Sequence, residues 1–424
     1  MSMTMLAVML VCFAFSVSIA VSIGAASVIG IAVDGTTMLF AAKEIFNSIN
    51  KFPLAAVPFF ILAGNLMETG GMSTRLVDFA KSLVGGIKGG LSATCVLTCM
   101  IFAAVSGSSV ATTYAIGAIL IPALVKHGYS RNFAASLQAT SAELGVIIPP
   151  SIPMILYGVS AEVSIGELFT AGIGPGLLIV IVLMVFTVVY ARYLGYGEHD
   201  REGQLPVLEA GRRAFWALLM PFIILGGIYG GIFTPTEASA VAVLYALIVG
   251  LFIYRETRPS DLIAVFKKSV RGSAVVMFII ANAGLFSYMI TRAGIPDQIG
   301  LFLKDVLDSP AIFLLGVNAA LFVIGMFIET SASIIVLAPI LAPVAMAFGI
   351  DPVHFGIIMV VNLALGMITP PFGVNLFVAC AVANISLDKI IPRLIPFVLV
   401  IVVCLMIITY MPQLSLYLRD LAYR

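Results

Sequence analysis

Charged residues are sparse and clustered along this chain. Between the clusters lie uncharged, largely apolar runs at 2–33, 89–125, 168–191, 214–236, 272–291, 309–328, 330–350, 355–387 and 394–418. One membrane crossing takes about 20 apolar residues. Several runs reach or exceed that length, so the pattern predicts an all-α, polytopic membrane protein. In the first half, spans are expected at about 3–33, 53–68 and 88–105. A re-entrant hairpin at about 107–127, a broken helix over 130–162 and a span at 166–193 follow. Residues 2–20 have no basic stretch before them and their uncharged run continues to Asp34, so they read as a retained first membrane segment rather than a cleaved signal. The second-half run 215–254 is interrupted at GGIFTPTE, which leaves its number of crossings open.

Two stretches pair an apolar stripe with basic residues. Residues 36–51 set Met38, Leu39, Ile45, Phe46 and Ile49 among Lys43, Glu44 and Lys51. Residues 259–271 set Leu262, Ile263, Val265 and Phe266 beside Lys267. Both fit arm helices lying along the membrane surface; a plain connecting helix is the alternative. The main hydrophilic stretch, 192–213, carries Arg192, Arg201, Arg212 and Arg213 and is assigned to the cytoplasmic face by the positive-inside rule. It divides the chain into 1–193 and 215–424, with 194–214 as the connecting loop.

The two parts repeat. A shift of 221 positions carries Pro122, Gly128, Gly145, Pro149 and Pro150 onto Pro343, Gly349, Gly366, Pro370 and Pro371. Five crossings per repeat, with the hairpin returning to its own side, give inverted topology and an external N-terminus, the arrangement of secondary transporters. The second hairpin is then expected at about 329–349.

Composition sharpens the class. The chain of 424 residues is 61% hydrophobic and 10% charged, against roughly 25% charged in soluble proteins. A net charge of +1 gives no reason to expect a nucleic-acid partner. Cys12, Cys95, Cys99, Cys380 and Cys404 all sit in apolar runs without a CxxC pair and read as packing residues. His127, His199 and His354 are scattered, so neither a transition-metal set nor an organic cofactor is indicated.

Candidate chemistry lies where helices must break at membrane depth. The 37-residue run 89–125 is interrupted at Val105-Ser106-Gly107-Ser108-Ser109, and the second half answers with Glu329-Thr330-Ser331-Ala332-Ser333. Gly145–Ser151 and Gly366–Pro371 supply an opposing pair of breaks. Irregular backbone inside a membrane persists only where it is buried or lines a cavity. Freed carbonyls and hydroxyls suit sodium, and the positive helix ends suit an anion. Asn65, Asn282, Asn362, Asn375, Glu143, Glu237 and Glu329 are further polar groups at depth. Glu143 is placed to shape the site or pair with a basic residue. Glu237 fits a helix cap as well as transport chemistry, and Asn65 fits either the first tip or a helix–helix hydrogen bond.

These residues resemble the large, DctM-like membrane subunit of tripartite ATP-independent periplasmic (TRAP) transporters. The matching stretches are PFFILAGNLMETGG at 58–71, SGSSVATTYAIGAILIPAL at 106–124, GVIIPPSIPMILYG at 145–158, GGIYGGIFTPTEASAVAV at 226–243 and LGMITPPFGVNLFVA at 365–379. The resemblance implies a sodium-coupled importer of organic acids, of the sialic acid or C4-dicarboxylate class, in a bacterial inner membrane. It also implies an elevator mechanism, in which a transport domain bearing two hairpins slides against a scaffold braced by the arm helices. A small four-helix membrane subunit and a periplasmic binding protein are the implied partners. The first sodium site would use Asn65, Ser106, Ser108, Gly145 and Ile148. The second would use Thr330, Ser331, Gly366, Thr369 and Pro371. The anion would lie near Ser109, Thr112, Pro150 and Ser333. A carrier independent of a binding protein, or an ion channel, is the alternative. An intramembrane enzyme is disfavoured because the chain has neither HExxH nor a histidine near a buried serine, and a primary pump because it has no GxxxxGK[ST].

Overall fold

Uncharged runs longer than one crossing must break or turn back, and the computed structural model shows where they do so. It describes residues 2–198, 200, 203–306 and 309–423, so His199 and Arg201 lie outside the described residues. In the first half, α1 (Ser2–Ala14) and α2 (Ile19–Asp34) pack against each other, followed by α3 (Met38–Ile49), α4 (Ala56–Thr69) and α5 (Met72–Val84). Next come α6 (Gly90–Ser106), α7 (Ser109–Lys126), α8 (Arg131–Ala142), α9 (Leu144–Ile147), α10 (Ile152–Ser160) and α11 (Ile165–Tyr193). The second half comprises α12 (Val207–Tyr229), α13 (Pro235–Ile248), α14 (Pro259–Arg292), α15 (Ile295–Val306), α16 (Pro310–Phe327) and α17 (Thr330–Ala347). It ends with α18 (Pro352–Met367), α19 (Val374–Ala383), α20 (Leu387–Tyr410) and α21 (Gln413–Tyr423). Nine of the described helices are long and apolar enough to cross a membrane, and α8–α10 together reach the same length and apolarity with a bend of 43° at their break.

The structure redraws several boundaries. The expected span 3–33 is two helices, separated at Phe15–Ser18, where Ser16 takes a positive φ of 57°. Run 215–254 is two helices, with the break at GGIFTPTE closed by a capping box in which Thr234 and Glu237 exchange hydrogen bonds. Glu237 is thus a cap. The second arm, 259–271, is not a separate helix but the start of the 34-residue α14. In the first half the same length of chain is split between α3 and α4. Pro53 sits in a 3-10 turn, Phe52–Ala55, at the split. Proline lacks the amide donor and restricts the residue before it, so helix cannot run through; Ala274, 221 positions on, imposes no such break.

The hairpins also differ from expectation. Residues 107–127 and 329–349 each form only the second limb, α7 or α17. The first limb is α6, read from sequence as an independent span at 88–105, or α16. A two-residue link joins α6 to α7 and α16 to α17, and both limbs of each pair flank the following helix, α8 or α18. Consecutive helices that share one neighbour after so short a link must reverse direction.

The 29-residue α11 supplies a ruler of about 43 Å. At its C-terminal end Arg192 donates to the Lys88 carbonyl at 2.8 Å, beside the base of the first hairpin. At its N-terminal end Glu167 and Asp351 share Arg419 of α21, at 3.3 and 3.0 Å, beside the base of the second. The two hairpins therefore enter from opposite ends. They interlock across the halves, with α7 packed on α19 and α17 on α10, while α2 packs on α14 and α13 on α4.

Candidate functional site

At the first tip, α6 ends on Gly107 in the left-handed region, φ 61°, and Ser108 caps α7 by accepting from the Ala111 amide at 3.4 Å. The Gly107 carbonyl accepts from the Ile152 amide at 3.2 Å, joining the tip to the broken segment of its own half. A Cβ on Gly107 would stand 3.0 Å from the Pro150 carbonyl oxygen, so glycine is required for space as well as for φ. The Ser106 and Thr112 hydroxyls are 3.0 Å apart, and Thr112 donates to the Ser108 carbonyl at 2.8 Å. Gly145 brings its backbone against the same group: a Cβ there would meet the Ser108 oxygen and the Thr112 hydroxyl, each at 2.7 Å. Ser106, Ser108 and Thr112 thus gather hydroxyl and carbonyl oxygens in one cluster, with the Gly145 backbone packed against it.

The second tip is built differently. Glu329 caps α17, its carboxylate accepting from the Ser331 and Ala332 amides and the Ser331 hydroxyl at 2.9, 3.1 and 2.8 Å. Ile328 stands where the first tip has Gly107 and keeps φ at −124°. Phe327 and Phe372 hold their rings 5.5 Å apart, each more than half exposed, and Pro371 is exposed beside them. Thr330 donates to the Met367 sulfur and Thr369 to the Leu365 carbonyl, both at 2.8 Å. Gly366 instead allows α18 to meet α16: a Cβ there would be 2.4 Å from the Gly325 carbonyl carbon.

Between the halves lies a buried polar chain. Thr113 of α7 donates to the Asn375 side-chain oxygen at 2.6 Å. The Asn375 amide donates to Glu143 at 2.7 Å and to the Ala139 carbonyl at 3.2 Å. Thr113, Glu143 and Asn375 are all essentially inaccessible.

Of the sequence-predicted residues, Ser106, Ser108, Thr112 and Gly145 come together, with Pro150 packed beside Gly107. Ile148 ends α9, with its side chain directed at Gly176 of α11. Asn65 donates to Ser269 of α14 at 2.9 Å, and it is neighbouring Gly64 that packs on Ser106. Thr330, Ser331, Gly366, Thr369 and Pro371 share a region, but the three hydroxyls each bond within their own half and Pro371 faces outward. Ser109 and Ser333 are buried with hydroxyls lacking a hydrogen-bond partner. Sequence reasoning named Asn375 and Glu143 but not their pairing, and it missed Thr113. The signal was available: under the 221 shift these three face Met154, Ala364 and Ile334, so each departs from the repeat. Among the described residues no group of three or more His, Cys, Asp or Glu side chains gathers as a metal site.

Residues 6–414 match the family model DctM, described as "Tripartite ATP-independent periplasmic transporter, DctM component". The C4-dicarboxylate TRAP transporter large permease protein DctM of Pseudomonas aeruginosa is 46% identical over 379 residues, 89% of each chain. The isethionate TRAP transporter permease protein DctMQ of Oleidesulfovibrio alaskensis is 42% identical over 95% of this chain and 64% of that longer one. The sialic acid TRAP transporter large permease protein SiaM of Vibrio cholerae serotype O1 is 37% identical, covering 92% of this chain and 91% of its own. Among solved structures, the YdaH transporter of Alcanivorax borkumensis shares the fold, with a TM-score of 0.66 at 14% identity over 88% of this chain and 87% of that one.

Proposed function

The chain belongs to the DctM component family of tripartite ATP-independent periplasmic transporters, and on that premise we propose that it imports an organic acid anion together with sodium ions by an elevator movement. It is a multi-pass protein of a bacterial inner membrane and the large permease of its transporter, not an enzyme.

One observation carries the proposal. Four helices, α7, α10, α17 and α19, begin at the two tips and the two breaks, and the halves interlock there through α7 on α19 and α17 on α10. Helix N-termini favour negative charge, so an anion held between the tips near Ser109, Thr112, Pro150 and Ser333 meets four favourable dipole ends. The clustered Ser106, Ser108 and Thr112 oxygens suit a first sodium ion, with Gly145, Ile148 and Asn65 flanking. Thr330, Ser331, Gly366, Thr369 and Pro371 are assigned to a second, which the outward-facing break must close to complete.

The names of the relatives support an organic acid as cargo, with C4-dicarboxylates and sialic acid as the first to test. A small membrane subunit is the proposed membrane partner, a reading that the name of the longer relative DctMQ, of which this chain covers 64%, supports. A periplasmic binding protein delivers the anion. Helices α6–α11 and α16–α20 form the moving body and α2–α4 and α12–α14 the scaffold, each group packing mostly within itself.

The test is uptake of labelled succinate and sialate into proteoliposomes holding this chain and its small partner, with and without an inward sodium gradient and the cognate binding protein. Uptake that needs both supports the proposal. Uptake without the binding protein indicates a simpler carrier, and passive flux without sodium indicates a channel.

A further inference from the structure

Glu143 is a carboxylate at membrane depth, 1% exposed. One of its oxygens accepts from Asn375 at 2.7 Å; the other has no hydrogen-bond partner among the described residues. The Ser109 hydroxyl, also 1% exposed, neighbours this carboxylate and is itself without a well-formed hydrogen bond among the described residues. No Lys, Arg or His is among the partners of Glu143. The elements around it present Ser109 from α7, Asn375 from α19, the capping carboxylate of Glu329 from α17, and on α6 the Cys95 and Cys99 thiols turned to Gln138. The charged neighbour is thus of like sign.

An ionised carboxylate buried without a counter-charge is strongly unfavourable, and the proposed anion beside Ser109 adds a second negative charge. Both are relieved by a cation between the two free oxygens. Carboxylate and hydroxyl oxygens are the donors that a hard cation takes, at about 2.3–2.6 Å each, and these two are left without a well-formed hydrogen bond of their own. Asn375, fixed by Thr113 and the Ala139 carbonyl, holds the carboxylate in place for this.

We propose that the Glu143 carboxylate and the Ser109 hydroxyl form a further sodium site at the junction of the two halves, beyond the oxygen clusters at the two tips. It deepens the functional reading above and rests on it: the ion there neutralises Glu143 and lets an organic anion occupy the adjoining space.

The test is equilibrium binding of sodium to the purified complex with its small partner, for wild type, Glu143→Gln and Ser109→Ala. Glu143→Gln is expected to lose one sodium per transporter and to flatten the sodium dependence of uptake. Ser109→Ala should keep the count but weaken affinity at that site about tenfold, the loss of roughly one neutral ligand. An unchanged count and affinity in Glu143→Gln overturns the inference, and so does a loss of pH dependence at unchanged sodium count, which marks a protonated acid instead. If Glu143→Gln does not fold, unchanged affinity in Ser109→Ala overturns it alone. Wild type that binds no sodium overturns this and the sodium-coupled reading together, whereas sodium binding indifferent to both substitutions overturns only this.

Discussion

The α7–α19 junction and the α17–α10 junction are formed by equivalent helices, yet the first joins Thr113, Asn375 and Glu143 by hydrogen bonds while the equivalent positions around the second are the buried Ile334, Met154 and Ala364. All three apolar counterparts are fully buried. The tips differ in the same spirit: the first is neutral and stitched to its own break through Gly107, the second carries Glu329 and leaves Phe372 and Pro371 outside. Each half thus contributes one carboxylate, one from a broken helix and the other from a hairpin tip. The repeat preserves where helices break, while the chemistry at each break is free to diverge, because the break depends on Gly and Pro and the chemistry on the side chains around them.

The largest expected effect comes from copying the apolar junction onto the polar one in a single step. Asn375→Met leaves Glu143 and Thr113 unpartnered, which should cost about 3 kcal/mol, the upper end of the scale for stranding a buried polar group. Thermal unfolding of the detergent-purified protein reads this. The triple variant Thr113→Ile, Glu143→Ala, Asn375→Met removes every polar member and should recover most of that stability while abolishing uptake. A triple variant no more stable than the single one breaks the comparison.

Next in size is Gly107→Ala. A side chain in the left-handed region costs about 1–2 kcal/mol, and the 3.0 Å approach to Pro150 adds to it. The matching change at the second tip, Ile328→Ala, should leave the tip backbone undisturbed and cost only packing. Equal unfolding temperatures for the two would show that the first tip is not held as described.

Ser108→Ala should lower stability by about 1 kcal/mol through loss of the α7 cap, and should weaken the sodium dependence of uptake while expression stays normal. Thr369→Ala should weaken sodium dependence with less effect on stability, since its hydroxyl bonds only the Leu365 carbonyl of the helix just before it. Unchanged sodium dependence in both would count heavily against the assigned tip sites.

The smallest effect concerns the end of the molecule where Asp351 starts α18. Burial raises the Asp351 pKa, but the Arg419 side chain and the His354 and Val353 amides outweigh it, and the group titrates below the usual carboxylate range. A carboxylate with a depressed folded pKa stabilises above its unfolded pKa, and the contribution is lost as pH falls through the folded one. Unfolding temperature should therefore drop more on acidification in wild type than in Asp351→Asn. The first-half counterpart, Ser130, caps α8 without a charge, so Ser130→Ala should show no such pH dependence.

Much of this architecture was legible in the chain. The length and charge-poverty of the apolar runs gave the membrane class, and Pro149-Pro150, Pro370-Pro371, Gly107 and Gly145 marked breaks that the structure contains. These are local properties: a proline stops a helix wherever it stands, and an uncharged run partitions into lipid whatever its neighbours. Boundaries were legible less well. The pairing of α6 with α7 was hidden because a hairpin limb and a span have the same composition, and the continuity of α14 because amphipathic and apolar helix can join without any residue to mark the seam.

What only the tertiary structure decided is which distant residues meet. Thr113 and Asn375 are 262 positions apart, Glu143 and Asn375 232. Nothing in a hydrophobic pattern specifies such a pairing, since a buried polar group at depth needs a partner but does not say which. The direction of Asn65 towards Ser269, the closing of one tip and the opening of the other were settled in the same way, by packing of elements from both halves. The sequence by itself determined that this chain is a two-fold repeated, membrane-embedded protein broken at four places. The fold determined that those breaks converge, because satisfying polar groups inside a membrane demands partners that only the other half could supply.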